Sequence, residues 1–166
     1  ITGAGEALEL FRLSGKKIFF LTNNSTQHPK SLVEKLGKLG VPCAPQAVLN
    51  SGAAVALYVR KNRLDAPHGV FLVGSQEFRA LLIESGVKIS DDPTACSALV
   101  AGMDLEFNYK TIALGLTALQ RDVPFIACNR DANYPSDKGL LMPGCGAMIG
   151  ALEAASMRRA DHVIGK

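Results

Sequence analysis

Thr22-Asn23-Asn24-Ser25 sets a hydroxyl, two amides and a run of backbone N–H groups directly after the apolar run Ile18, Phe19, Phe20, Leu21. No charged side chain intervenes. Neutral donors gathered at the carboxyl end of a strand, just ahead of a helix, sit where open α/β sheets bind ligands, and they suit a phosphate oxygen. The same residues also make turns and cap helices, and by themselves they leave both readings open. A second polar stretch, residues 129–139, carries Asn129, Asp131, Tyr134, Pro135 and Gly139, and is too long and varied for a plain connector. A third candidate is Lys166, delivered by the short apolar run His162-Val163-Ile164 and Gly165; standing alone it would read as a solvated lysine. Asp91-Asp92 precedes Pro93 and reads as a solvated turn rather than a paired acid and base.

The elements that must position these groups alternate. Residues 18–21 form a continuous apolar run of the kind a strand buried on both faces needs. Pro29 with Leu32, Val33, Leu36 and Leu39 predicts a helix stopped by Gly40. Short apolar runs at 47–49, 70–73, 98–101 and 123–128 are each followed by a small or polar residue and then by a helical pattern, at 52–59, 78–83, 109–119 and 148–155. That alternation predicts βαβ units with parallel strands. Residues 6–13 read as one more helix, and residues 63–69, with Pro67 and Gly69, as a linker. Residues 129–139 read as a loop, and residues 140–142 make a poor strand before Pro143. The Gly3-x-Gly5 and Gly144-x-Gly146 spacings resemble parts of a dinucleotide turn, but neither follows a clear strand, so close packing explains Gly144 and Gly146 better.

Of the 166 residues, 48% are hydrophobic and 20% charged, enough for a core, and the net charge of +3 comes from scattered Lys and Arg. Aromatic residues are few and do not alternate with basic ones, so nucleic-acid binding has no support. Cys43, Cys96, Cys128 and Cys145 stand far apart, away from the histidines, which fits neither a zinc site nor a disulfide framework. Reduced thiols and the lack of a signal-peptide or membrane-length apolar run lead to the expectation of a cytoplasmic protein without a membrane partner.

The ordered set of 20–25 (FLTNNS), the 129–146 stretch with Asp131, Pro135, Gly139 and Pro-Gly-Cys-Gly, and 163–166 (VIGK) resembles the haloacid dehalogenase superfamily over essentially the whole chain. The likeness is to the branch with p-nitrophenyl, phosphoglycolate and pyridoxal phosphatases. It implies a Rossmann-like parallel-sheet core, here incomplete, with an inserted α/β cap: residues 1–66 and 159–166 as core, 67–158 as cap. It also implies a phosphatase that hydrolyses small phosphomonoesters through an aspartyl-phosphate. Thr22 would hold the phosphate with the Asn23 N–H, and Lys166 would neutralise it. Asn24, Asn129, Asp131 and Tyr134 would face the substrate, Tyr134 standing where pyridoxal phosphatases have His. The implied cofactor is Mg²⁺, with its ligands and the nucleophilic Asp expected outside this chain, which reads as starting after the first motif and stopping on the third. A homodimer through the cap is a further expectation. The alternative is a non-catalytic nucleotide-binding or dimerising α/β module. If the phosphatase reading holds, Thr22 Oγ1 and the Lys166 ammonium share one small volume, and residues 18–21 present an unpaired or covered edge.

Overall fold

A computed structural model describes residues 2–136 and 139–165. Its centre is a five-stranded parallel sheet in the order β4-β3-β5-β6-β9, built from β3 (Val70–Val73), β4 (Ile89–Ser90), β5 (Ala98–Ala101), β6 (Phe125–Ala127) and β9 (His162–Val163). Each strand is too short to bury much alone, so the helices between them supply the covering layers. Phe78 and Leu82 of α4 (Gln76–Glu84), Leu119 of α5 (Tyr109–Leu119), and Ile149 and Leu152 of α6 (Cys145–Ser156) all enter one buried cluster with Val70, Leu99, Val100 and Ile126. Val55 and Val59 of α3 (Ser51–Lys61) join the same cluster.

A second, two-stranded parallel sheet pairs β1 (Phe20–Thr22) with β2 (Val48–Asn50), flanked by α1 (Ala4–Leu13) and α2 (Pro29–Lys38). The run 18–21 was expected to be buried on both faces. Instead Phe19 is 64% and Leu21 62% exposed, because among the described residues β1 has only β2 beside it. The chain is therefore an α/β fold with a parallel sheet and a smaller strand pair, as a Rossmann-like core with a cap requires.

One further departure from the sequence pattern concerns the site. The stretch expected as a loop contains an antiparallel pair, β7 (Asn133–Pro135) with β8 (Leu141–Pro143), in which Tyr134 faces Met142. β9 is hydrogen-bonded to β6, with Ile126 opposite His162. The linker at 63–69 is pinned rather than loose: the Gly69 N–H donates to the Asp65 carbonyl at 2.8 Å, and the Lys88 N–H to Asp65 Oδ2 at 2.9 Å. No helix among the described residues is long and apolar enough to cross a membrane.

Candidate functional site

Parallel pairing brings the ends of β1 and β2 level, Thr22 opposite Asn50, so the residues after both strands lie together. Asn50 caps α3, its Oδ1 accepting the Ala53 N–H at 2.8 Å, while its Nδ2 donates to the Gln27 carbonyl at 2.7 Å. Ser51 Oγ donates to the Asn23 carbonyl at 2.7 Å. Above them the 22–26 turn folds on itself. Thr22 Oγ1 accepts the Asn24 N–H at 3.2 Å, and Asn24 Oδ1 accepts the Thr26 N–H at 2.9 Å and the Thr26 hydroxyl at 2.7 Å. The cap of α2 is His28, whose Nδ1 accepts the Lys30 N–H. The Asn-Asn-Ser stretch is thus a turn, and capping the helix does not account for it.

The facing wall comes from the end of β6. Asn129 is 2% exposed; its Nδ2 donates to the Asn23 carbonyl at 3.0 Å and its Oδ1 accepts the Asp131 N–H at 3.1 Å. Asn23 Nδ2 in turn donates to Asp131 Oδ2 at 2.8 Å. The Met103 N–H, after β5, donates to Ser25 Oγ at 3.2 Å. The start of α6 presses against this wall: the Gly146 N–H donates to the Asp131 carbonyl at 2.8 Å, and a Cβ on Gly146 would stand 2.6 Å from the Arg130 carbonyl oxygen. Close backbone approach is what Gly144 and Gly146 serve, although Gly144 does follow β8 and cap α6. Gly165 closes the remaining side. Its N–H donates to the Cys128 carbonyl at 2.7 Å, and a Cβ there would come within 2.7 Å of Asn23 Oδ1.

These walls enclose a cavity of about 330 Å³ lined by Thr22, Asn23, Asn24, Asn129, Asp131 and Tyr134, with Met103 and Leu105 as apolar wall. A second cavity of about 280 Å³ lies on the other side of Thr22 and Asn23, against Leu21, Leu49, Ile164 and Gly165. Six of the seven candidate residues therefore meet around one space. Lys166 and its expected approach to Thr22 lie outside the described residues. Among the described residues no three His, Cys, Asp or Glu side chains gather as a metal site, so these residues by themselves do not fit Mg²⁺.

Behind the cavity a buried carboxylate ties three segments together. Glu153 on α6, 5% exposed, receives both Nη groups of Arg130, Arg159 Nη1 at 2.9 Å and the Ala160 N–H at 2.8 Å. Burial alone would raise its carboxyl; the Arg130, Ala160 and Arg159 donors outweigh that and bring it down to about 2. Burial pushes the Cys128 thiol well up, with Cys145 adding to the rise, and pushes the Cys145 thiol up to about 11. Neither thiol is a nucleophile at neutral pH.

Ser25, Asn50, Ser51 and Glu153 support the site and were not among the candidates. Asn50-Ser51 repeats the signal of the first stretch, polar residues at the end of an apolar run, and Glu153 stands as a lone charge in the otherwise apolar 145–155 helix.

Residues 1–88 match the family model described as haloacid dehalogenase-like hydrolase. Acid sugar phosphatases of Staphylococcus haemolyticus (strain JCSC1435) and Staphylococcus aureus (strain USA300) are 30% identical over all 166 residues. The chain spans 61% and 62% of their respective lengths. The p-nitrophenyl phosphatase from Archaeoglobus fulgidus superposes with a TM-score of 0.90 at 30% identity, covering 100% of this chain and 62% of that one. The 4-nitrophenylphosphatase from Thermotoga maritima does so at 0.89 and 29%, with coverage of 100% and 62%. The family model covers more than half of the chain, and a fold shared from end to end relates it to the capped p-nitrophenyl phosphatase branch, so this chain belongs to the haloacid dehalogenase-like hydrolases.

Proposed function

We propose that this chain is the phosphate-binding part and the substrate-selecting cap of a Mg²⁺-dependent phosphatase that hydrolyses small phosphomonoesters through an aspartyl-phosphate. The observation that carries the reading is the cavity at the end of β1 and β6 into which the Thr22 to Asn24 turn and the Asn129 to Tyr134 wall both open. Thr22 donates its hydroxyl to a phosphoryl oxygen, joined by the Asn23 N–H, and Lys166 offsets the phosphoryl charge. Phosphoryl transfer depends mostly on such positioning and charge stabilisation. Asn24, Asp131 and Tyr134 form the wall that meets the rest of the substrate, with Asn129, buried and engaged at both ends of its amide, holding that wall in place; a few placed polar groups beside an aromatic ring suffice for selectivity. Residues 1–66 and 159–166 act as core and 67–158 as cap, with β9 bridging the two by pairing with β6 while bringing Gly165 against Asn23.

The family implies a nucleophilic carboxylate and Mg²⁺ supplied by residues beyond those described, and no step is derived through the metal. The cavity's own carboxylate, Asp131, is engaged by the Asn23 amide, so the 166 residues alone are expected to release no phosphate.

The test is inorganic phosphate release by the full-length protein with Mg²⁺, on a panel of sugar phosphates, p-nitrophenyl phosphate and phosphoglycolate. Turnover of at least one ester is expected, with Thr22→Val lowering kcat about 100-fold or more, the usual scale for one transition-state donor. No turnover of any ester by a folded protein, or a fully active Thr22→Val variant, contradicts the reading.

A further inference from the structure

We propose that Ser51 and Asn129 are positioning residues that lock the peptide between Asn23 and Asn24, and so keep the Thr22 hydroxyl proton available to a bound phosphoryl group. The inference rests on the phosphate reading of this cavity. The Asn23 carbonyl accepts two hydrogen bonds from two separate parts of the fold: Ser51 Oγ at the start of α3, at 2.7 Å, and Asn129 Nδ2 beyond β6, at 3.0 Å. Ser51 is 3% and Asn129 2% exposed, so neither donor has ready access to water in place of that oxygen. The N–H of the same peptide, that of Asn24, points the other way and donates to Thr22 Oγ1 at 3.2 Å.

A hydroxyl has one proton and two lone pairs. While Thr22 Oγ1 accepts the Asn24 N–H, its proton must be directed elsewhere, and the open space that Thr22 lines, on either side of the turn, is where it can go. Turning the 23–24 peptide over would break all three bonds at once. It would also set the Asn23 carbonyl against Thr22 Oγ1, and the hydroxyl would answer by donating to that carbonyl. The phosphoryl group would then lose a donor and face a partial negative charge. Two buried donors on one carbonyl prevent this, one from the β2–α3 junction and one from the five-stranded sheet.

The experiment measures orthophosphate binding to the full-length protein by titration calorimetry, together with hydrogen exchange of the Asn24 amide by NMR. The variants are Ser51→Ala, Asn129→Ala, both together, Ser51→Thr, and Ser51→Ala in a Thr22→Val background. Circular dichroism and thermal melting establish that each is folded. Loss of one neutral hydrogen bond should weaken binding about threefold to tenfold in each single variant. The double variant should lose more than the product of the two and should lose protection of the Asn24 amide, because in each single variant the remaining donor still holds the carbonyl most of the time. Ser51→Thr keeps the hydroxyl and should stay within about twofold of wild type. In the Thr22→Val background Ser51→Ala should have a clearly smaller effect on affinity than in wild type, an outcome that general loosening of the fold would not give. A folded double variant that binds orthophosphate as wild type does, or keeps its Asn24 amide protected, overturns the proposal. If the wild type binds no orthophosphate, the phosphate reading falls separately. The clamp is then judged on the amide: exposure in the double variant alone supports it, and unchanged protection overturns it.

Discussion

Glu153→Gln removes one charge at nearly constant shape and leaves two guanidinium groups and the Ala160 N–H facing a neutral amide. Glu153 is 5% exposed, and breaking a buried pair by removing one partner typically costs about 3–5 kcal/mol. The depressed ionisation gives an independent figure. Going from an ordinary 4.5 when unfolded to about 2 when folded corresponds to about 3 kcal/mol of stability at neutral pH. Exposure of Arg130 and Arg159, whose side chains are 43% and 82% accessible, screens part of it and favours the lower end. The sign follows from the direction of the shift. A carboxyl with a lowered folded value stabilises fully above its unfolded value, and that stability is lost as pH falls from 4.5 towards 2. Urea unfolding of wild type and Glu153→Gln at pH 7 and pH 3 should therefore show a gap of about 2–3 kcal/mol at pH 7, shrinking to about 1 kcal/mol at pH 3. A gap that is the same at both pH values, or below about 0.5 kcal/mol at pH 7, would refute the argument that Glu153 is a buried charged hub.

Gly146→Ala should destabilise the protein by about 1–3 kcal/mol in thermal or urea unfolding, because the new methyl meets the Arg130 backbone oxygen rather than a side chain that can swing away; a neutral effect would mean the 129–131 backbone shifts freely. In the folded protein a thiol reagent at pH 7.5 should modify Cys43 and leave Cys96, Cys128 and Cys145 intact until denaturant is added, since the three are buried and burial pushes their thiols up; rapid native labelling of Cys128 would contradict its placement under the site. Tyr134→Ala in the full-length protein should change kcat/KM unequally across a phosphomonoester panel, and an equal change for every ester would reduce the β7–β8 arm to a structural element.

The parts of this fold that were legible are those whose signal is local. Pro29 with the Leu32-Val33-Leu36-Leu39 spacing marks α2, and the runs at 70–73 and 98–101 are strands because nothing but burial suits four apolar residues between a glycine or serine and a helix. What could not be read depends on partners distant in the chain. β4 is two residues long and is a strand only because Val70 pairs with Ile89. The β7–β8 arm was hidden by Pro135 and Pro143, which demote a run read alone but are tolerated in a two-stranded pair. The six cavity residues stood out by type and position, yet the groups that fix them did not. Ser51 at the start of α3 looks like any helix-opening serine, and its bond to Asn23 spans 28 positions. Likewise a carboxylate in an apolar helix signals a buried ion pair, but the sequence does not say that Arg130 and Arg159 are its partners.

On the proposed function, the Thr22 turn and the Asn129 wall enclose a phosphate site. The most direct measurement is a crystal structure of the full-length protein with Mg²⁺ and a phosphate analogue such as tungstate. The anion is expected within hydrogen-bond distance of Thr22 Oγ1, beside the Lys166 ammonium, with Asp131 and Tyr134 on its open side. An anion bound elsewhere while this cavity stays open to the analogue, or Lys166 on the opposite face of the sheet from Thr22, would contradict it.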